Sequence, residues 1–290
     1  MSVSVLIPCR DGEATLSATL DSLRNQSITA TVIIADDASV DRTPDIIKEY
    51  GAVHVRYTRR EPRSYDRVAV LVNMAYRAAP LSDYYMISGC HHRYPPDYLE
   101  TLITWMQRDK VALVSGYTDT YADTYAPRGS GRVMSASLMR QLMPLPPNLA
   151  WDSWMLYRMD QLGIKYRMYP IKTELIGHRR KTVYSYGHAE HLLGSPLIAT
   201  LGRIFFDITR GESPRLATSI LVGQLTYRLK KVPQMPIASY IRGARQRRMK
   251  QRIMRYVSAL ECKLGLHDGV YTMRHGLYGS LHRLRRTGHL

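Results

Sequence analysis

Along the first half of the chain, short apolar runs alternate with stretches in which apolar residues recur every three or four positions. Val3–Ile7, ended by Pro8, has the length and composition of a buried strand, whereas Thr15–Asn25 sets Leu16, Leu20 and Leu23 on one helical face. The same reading predicts strands at Val32–Ala35, Val53–Tyr57, Tyr84–Ile87 and Val111–Tyr117. It predicts helices over Thr43–Tyr50, where Pro44 is tolerated in the first turn, over Val68–Ala79, and from Pro95-Pro96 through Arg108. Strand and helix in turn are the pattern of an α/β domain with a largely parallel sheet. Beyond about residue 180 the alternation stops. Leu197, Ile198, Leu201, Ile204, Phe205 and Ile208 recur at helical spacing, as do Met249, Ile253, Val257, Leu260 and Leu264, so residues 191–290 are expected to form an appended amphipathic helical region.

Composition narrows the setting. The 290 residues are 45% hydrophobic, ordinary for a globular chain, and Met1 leads directly into the first strand rather than into a secretory leader. The longest apolar stretch, 192–206, is interrupted by Gly194, Pro196, Gly202 and Arg203, and is shorter than the roughly 18–20 residues that span a bilayer. Cys9, Cys90 and Cys262 form no Cys-x-x-Cys pair and point to a reducing, cytoplasmic setting. The net charge of +17 is concentrated in the tail, where residues 228–290 carry fifteen Lys and Arg against Glu261 and Asp268. Such a surface attracts polyanions: anionic lipid headgroups, nucleic acid or a phosphorylated substrate.

Open α/β sheets bind ligands at the carboxyl ends of their strands. After the first strand comes Pro8-Cys9-Arg10-Asp11-Gly12-Glu13, and after the second Asp36-Asp37-Ala38-Ser39-Val40-Asp41-Arg42-Thr43, while the glycine fingerprint of a dinucleotide site is absent. On spacing alone, Asp-Asp-x-Ser serves equally as a turn and helix cap or as carboxylates facing a ribose.

In order and spacing these two segments resemble the start of a family-2 glycosyltransferase. The resemblance covers about residues 1–190 and implies a GT-A fold, a Rossmann-like nucleotide-sugar-binding domain; it says little about the basic helical region 191–290, which rests on periodicity and charge. It implies that Pro8, Arg10, Asp11, Glu13, Asp36 and Arg67 hold the nucleotide of a UDP- or GDP-sugar, with Asn73 in the following helix. Where the family carries Asp-x-Asp, this chain has Gly89-Cys90-His91-His92, so Cys90 falls to the donor site and His91 replaces the metal-binding acid. His178 stands where many relatives keep a histidine and is a second candidate ligand. Imidazole suits Mn²⁺ better than Mg²⁺, which prefers oxygen. A polar loop without metal is the alternative.

In Trp151-Asp152-Ser153-Trp154, Asp152 corresponds to the family's catalytic base, which takes the acceptor hydroxyl's proton, and Trp151 to a wall of the acceptor site. Taken by itself, an Asp before a helical run is more often a helix cap, and it is the place of Asp152 in the ordered set of motifs that favours the base. Arg179 and Arg180, with the aromatic segment that follows, correspond to a basic loop over the diphosphate, and Gly129-Ser130-Gly131 to an acceptor loop. Direct displacement assisted by one base implies inversion at the sugar carbon. The basic helices suit an anionic membrane surface and a lipid-linked or cell-surface glycan acceptor, with peripheral attachment. A nucleic-acid acceptor and a degenerate nucleotide-binding protein are the alternatives.

Overall fold

The structure is a computed structural model and describes residues 1–247 except 63, 65, 119–126, 128–129, 178–182, 210 and 212, with the backbone alone at 183, 184, 206 and 216. Its elements follow the predicted alternation. In chain order they are β1 Val3–Cys9, α1 Leu16–Arg24, β2 Ala30–Asp36, α2 Thr43–Glu49, β3 Val53–Arg56, α3 Asp66–Ala78, β4 Tyr84–Ile87, β5 His92–Arg93 and α4 Tyr98–Arg108. They continue with β6 Leu113–Tyr117, β7 Arg132–Ser135, α5 Ala136–Leu142, α6 Trp151–Gln161, β8 Tyr166–Lys172, β9 Glu174–Leu175, α7 Val183–Leu192, α8 Leu197–Thr209 and α9 Pro214–Leu229.

Seven strands form one sheet in the order β3-β2-β1-β4-β7-β6-β8, in which β7 runs antiparallel to both neighbours and every other pairing is parallel. The strand period of two divides the core. Val3, Val5 and Ile7 pack with α1, α2 and α4, while Leu6, Ile33 and Ala35 pack with α3, α5 and α6 on the opposite face. β1, covered on both faces, therefore reads as an apolar run rather than as an alternation. The reversed β7 has a further effect: its first residue, Arg132, pairs with Ile87, the last of β4. Arg132 thus joins the edge where β1, β2 and β4 end.

A two-stranded ladder, β5 with β9, pairs His92 with Leu175, and the Ile176 amide donates to the His91 carbonyl at 2.9 Å. This ladder ties the segment after β4 to the segment after β8. His178, Arg179 and Arg180 lie outside the described residues, as does everything beyond residue 247, including the helix expected at Met249–Leu264.

The helices after β9 pack onto α6. Leu193, Met235, Ile237 and Ile241 bury against Ala150, with Trp154 and Tyr157 alongside. α7 crosses α9 at Gly187, where an added Cβ would lie 2.6 Å from the Gln224 nitrogen and collide with the Ile220 carbonyl. Met1–Arg242 forms one compact unit and Gly243–Leu290 another. Among the described residues no helix is long and apolar enough to cross a membrane.

Candidate active site

Three groups of side chains line the carboxyl edge of the sheet. The first lies where β1 and β2 end. Asp36 is fully buried, accepts from the Ser39 amide at 2.9 Å and faces His54 Nε2 at 3.4 Å and Arg56 Nε at 3.7 Å. Asp37 is the hub between two cations: it accepts from Arg10 at 3.1 Å and from Arg67, whose ring partner is Tyr57 at 4.6 Å. Arg67 also donates to Glu61 at 2.6 Å.

Asp11 takes a bidentate grip from Arg60 at 2.9 and 3.1 Å, and its own amide donates to Ser39 Oγ at 2.8 Å. Asp11 and Ala38 hold φ of 48° and 50°, a left-handed conformation that costs a non-glycine residue roughly 1–2 kcal/mol. The polar contacts around them offset that strain and fix the two strand-end turns against each other. Pro8 is half-buried in β1, and Glu13, exposed, accepts from the Arg42 amide at 3.3 Å. Asp41 has its carboxyl lowered: partial burial pushes it up, but hydrogen bonds from the Thr43 hydroxyl and from the Glu13 and Thr43 amides outweigh that.

The second group follows β4. The Cys9 and Cys90 sulfurs lie side by side beneath Gly12, whose missing Cβ would fall 2.6 Å from Cys9 Sγ and 3.6 Å from Cys90 Sγ. Their interaction, with burial, raises the Cys9 thiol, and together with neighbouring His91 it holds the Cys90 thiol below its ordinary range. His91 Nδ1 stands 3.9 Å from Cys90 Sγ, and its ring lies against His92 at 4.7 Å. The loop is anchored from several sides. Thr15 Oγ1 donates to the Cys90 carbonyl at 2.8 Å, and the Gly89 amide donates to Ser130 Oγ at 2.7 Å. The Tyr94 hydroxyl lies 2.7 Å from Ser88 Oγ and 2.6 Å from Ser130 Oγ, and burial pushes its pKa up to about 12. Ser130, expected in an acceptor loop, thus supports the segment that carries His91.

The third group joins β7 to α6. Asp152 stands in the first turn of α6, whose cap position is Ala150, so the helix-cap alternative does not describe it. Its carboxylate accepts from the Ser153 amide at 2.7 Å and lies 3.6 Å from a guanidinium nitrogen of Arg132. Arg132 is fully buried while Asp152 is 39% exposed, and the Arg132 guanidinium also lies 5.7 Å from the Trp151 ring. A half-open carboxylate held by a buried cation can receive a proton from a bound hydroxyl.

Asn73 belongs to none of these groups. Its side-chain amide exchanges two hydrogen bonds with the Leu145 backbone, 2.8 and 2.9 Å, and clips the chain after α5 to α3. Sequence reasoning also missed Arg132, Arg60 and the hub role of Asp37. For Arg132 a signal existed, since a cation opening the short apolar run Arg132-Val133-Met134 needs a buried partner. Arg60 reaches Asp11 across 49 positions, and no local pattern announces that.

As a metal site, the described donors around His91 are imidazole and thiol groups, a set on the soft side of Mn²⁺ and poorly suited to Mg²⁺. No group of three or more His, Cys, Asp or Glu that could hold a metal ion occurs among the described residues. The remaining coordination would have to come from the diphosphate or from residues outside the described ones.

The family model described as glycosyl transferase family 2 matches residues 4–163. A curated relative, the 4,4'-diaponeurosporenoate glycosyltransferase of Staphylococcus haemolyticus (strain JCSC1435), is 47% identical over 51 residues, which are 18% of this chain and 14% of the relative's length. Among solved structures, the mannosyltransferase PcManGT of Pyrobaculum calidifontis, in complex with GDP-Man and Mn²⁺, superposes with a TM-score of 0.54 at 19% identity, over 90% of this chain and 80% of that one. Glucosyl-3-phosphoglycerate synthase of Mycobacterium tuberculosis, with Mn²⁺, UDP and glucosyl-3-phosphoglycerate, gives 0.52 at 17% identity, over 69% and 78%. TarS of S. aureus is similar over 76% of this chain at a TM-score of 0.49, and the chain spans 42% of that protein.

Proposed function

The chain belongs to glycosyl transferase family 2, and from that premise we propose that it transfers a sugar, with inversion, from a UDP- or GDP-sugar to an acceptor hydroxyl. The observation that carries this reading is Asp152, a carboxylate half-open to solvent at the carboxyl edge of the sheet and 3.6 Å from buried Arg132. Asp152 takes the acceptor proton as the hydroxyl oxygen attacks the sugar carbon, and the nucleoside diphosphate departs from the opposite face. One displacement assisted by one base inverts the configuration.

The nucleotide is held along the first group, by Pro8, Arg10, Asp11, Glu13, Asp36 and Arg67. The Nε of Arg10, buried and without a hydrogen-bond partner, is a donor that this group leaves available. Cys90 and His91 face the diphosphate, and His91, with His178, would hold a divalent cation, Mn²⁺ in preference to Mg²⁺. When bound, such an ion neutralises charge on the leaving diphosphate. Trp151 walls the acceptor, and Arg179 and Arg180 meet the diphosphate charge. Solved structures of similar fold hold GDP-Man with Mn²⁺, UDP with Mn²⁺ and UDP with Mg²⁺, which supports a UDP- or GDP-sugar donor and a divalent ion.

The acceptor is a lipid-linked or cell-surface glycan presented at an anionic membrane surface. α8 and α9 leave Ile198, Leu201, Phe205, Val222, Leu225 and Leu229 exposed, with Arg215, Arg228, Lys230 and Lys231 exposed around them in a chain of net charge +17. Apolar wedges rimmed by cations suit an interface of anionic headgroups.

The test is thermal stabilisation by a panel of UDP- and GDP-sugars with and without Mn²⁺, on the parent, His91→Ala and Asp152→Asn. Stabilisation by one donor class that weakens in His91→Ala and persists in Asp152→Asn, with turnover lost in Asp152→Asn by at least about a hundredfold, is expected. No shift with any nucleotide sugar overturns the donor site. Sedimentation with phosphatidylglycerol vesicles, lost in Phe205→Glu, is expected for the membrane face, and binding only to RNA or DNA overturns it.

A further inference from the structure

The sheet brings Cys9 and Cys90 together. The β1–β4 ladder pairs Leu6 with Ile87, the Ser88 amide still donates to the Leu6 carbonyl at 3.0 Å, and counting on from that register sets Cys90 beside Cys9. Both lie beneath Gly12: the Cβ that this residue lacks would fall 2.6 Å from Cys9 Sγ and 3.6 Å from Cys90 Sγ. Cys9 is buried and Cys90 half-buried, so Cys90 is the more accessible of the two.

We propose that Cys9 and Cys90 form an oxidative modification site, at which a low-molecular-weight disulfide such as oxidised glutathione converts the pair into an internal disulfide and shuts down donor binding. The Cys90 sulfur attacks one sulfur of the small disulfide and one small thiol leaves. The Cys9 sulfur then attacks Cys90 Sγ and expels the second. The protein gives up two electrons and two protons, and both appear in the two released thiols.

The new bond draws the sulfurs to about 2.05 Å. Cys9 belongs to a central strand covered on both faces, so the movement falls on the segment of Cys90 and His91. That segment is held at the Cys90 carbonyl by Thr15 and at the His91 carbonyl by Ile176. His91 therefore turns away from its place beside the donor. The chemistry stands on the two sulfurs alone, whereas its consequence rests on the donor site proposed above.

The experiment uses the full chain carrying Cys262→Ser, equilibrated in mixtures of oxidised and reduced glutathione, quenched, and weighed intact. Expected is the loss of two hydrogens without a glutathione adduct, reversed by dithiothreitol, and a fall of donor affinity by at least about tenfold that reverses with it. In Cys9→Ser, and in Cys9→Ala should the serine disturb the core, the product is instead a lasting glutathione adduct at Cys90. Retention of both thiols, or a lasting adduct at Cys90 while Cys9 is present, overturns the site. A disulfide that leaves donor binding intact overturns its consequence. If the reduced protein binds no nucleotide sugar, the donor reading fails, while the mass change still decides whether the disulfide forms.

Discussion

Ser130→Ala tests how the segment carrying Cys90 and His91 is held. Ser130 Oγ accepts the Gly89 amide at 2.7 Å and lies 2.6 Å from the Tyr94 hydroxyl, which has a second partner in Ser88 at 2.7 Å. Removing Ser130 Oγ therefore strands the Gly89 N–H but not Tyr94. A buried polar group left without its partner costs about 1–3 kcal/mol, and the part-buried setting, where water can enter, places the expected loss near 2 kcal/mol. Tyr94→Phe removes a hydroxyl from the same network, yet leaves Ser88 bonded to the Gly89 carbonyl at 2.9 Å and Ser130 to the Gly89 amide. Its cost is expected near 1 kcal/mol, that of one net hydrogen bond. By calorimetry, Ser130→Ala should lower Tm by roughly 4–8 °C and Tyr94→Phe by about half as much, given about 2–4 °C per kcal/mol for a unit of this size. The double variant should lose less than the sum, because the two changes share one bond. Donor-dependent stabilisation should weaken in Ser130→Ala as Gly89 releases the residues after it. A Tyr94→Phe loss equal to or larger than that of Ser130→Ala would refute the assignment of Ser130 as the anchor.

Arg132→Met conserves bulk while removing the charge beside Asp152; Tm should hold within a few degrees while turnover falls about tenfold to a hundredfold, and full turnover would separate Arg132 from the work of Asp152. Gly187→Ala should destabilise by about 1–3 kcal/mol or more, because the added methyl meets α9 backbone that cannot move without parting the helices, and a neutral melt would show that the crossing gives. At alkaline pH the sign follows from burial, which raises Tyr94 to about 12 and Tyr98 in the same direction. Folding favours their neutral forms, so this stability is complete below the unfolded value near 10 and is lost as pH rises towards 12. Chemical denaturation between pH 9 and about 12 should show a shallower decline in Tyr94→Phe than in the parent, and parallel curves would place the alkaline transition elsewhere.

The sequence by itself determined the alternation of the first half. Val3–Ile7 and Leu16, Leu20, Leu23 have no other stable use than a doubly covered strand and a one-faced helix, because periodicity is a local property that burial converts directly into structure. It also placed the strand-end carboxylates Asp11 and Asp36, which follow strands whose ends are visible in the pattern, whereas the departure at Cys90-His91 and Asp152 became candidates through the resemblance to family-2 glycosyltransferases. Only the tertiary structure decided what those residues touch. That Asp37 holds both Arg10 and Arg67, that Arg60 reaches Asp11, and that Ser130 supports the loop after β4 depend on which strands lie side by side. The position of Arg132 beside Asp152 depends on one strand, β7, running against its neighbours, so that its first residue rather than its last reaches the binding edge. Cys9 and Cys90 are 81 positions apart and meet only through the β1–β4 register. Strand order and direction are set by the lowest free energy of the whole packed sheet, to which each short segment contributes a face but no address, and so a chain read one window at a time reveals the faces and leaves the neighbours to the fold.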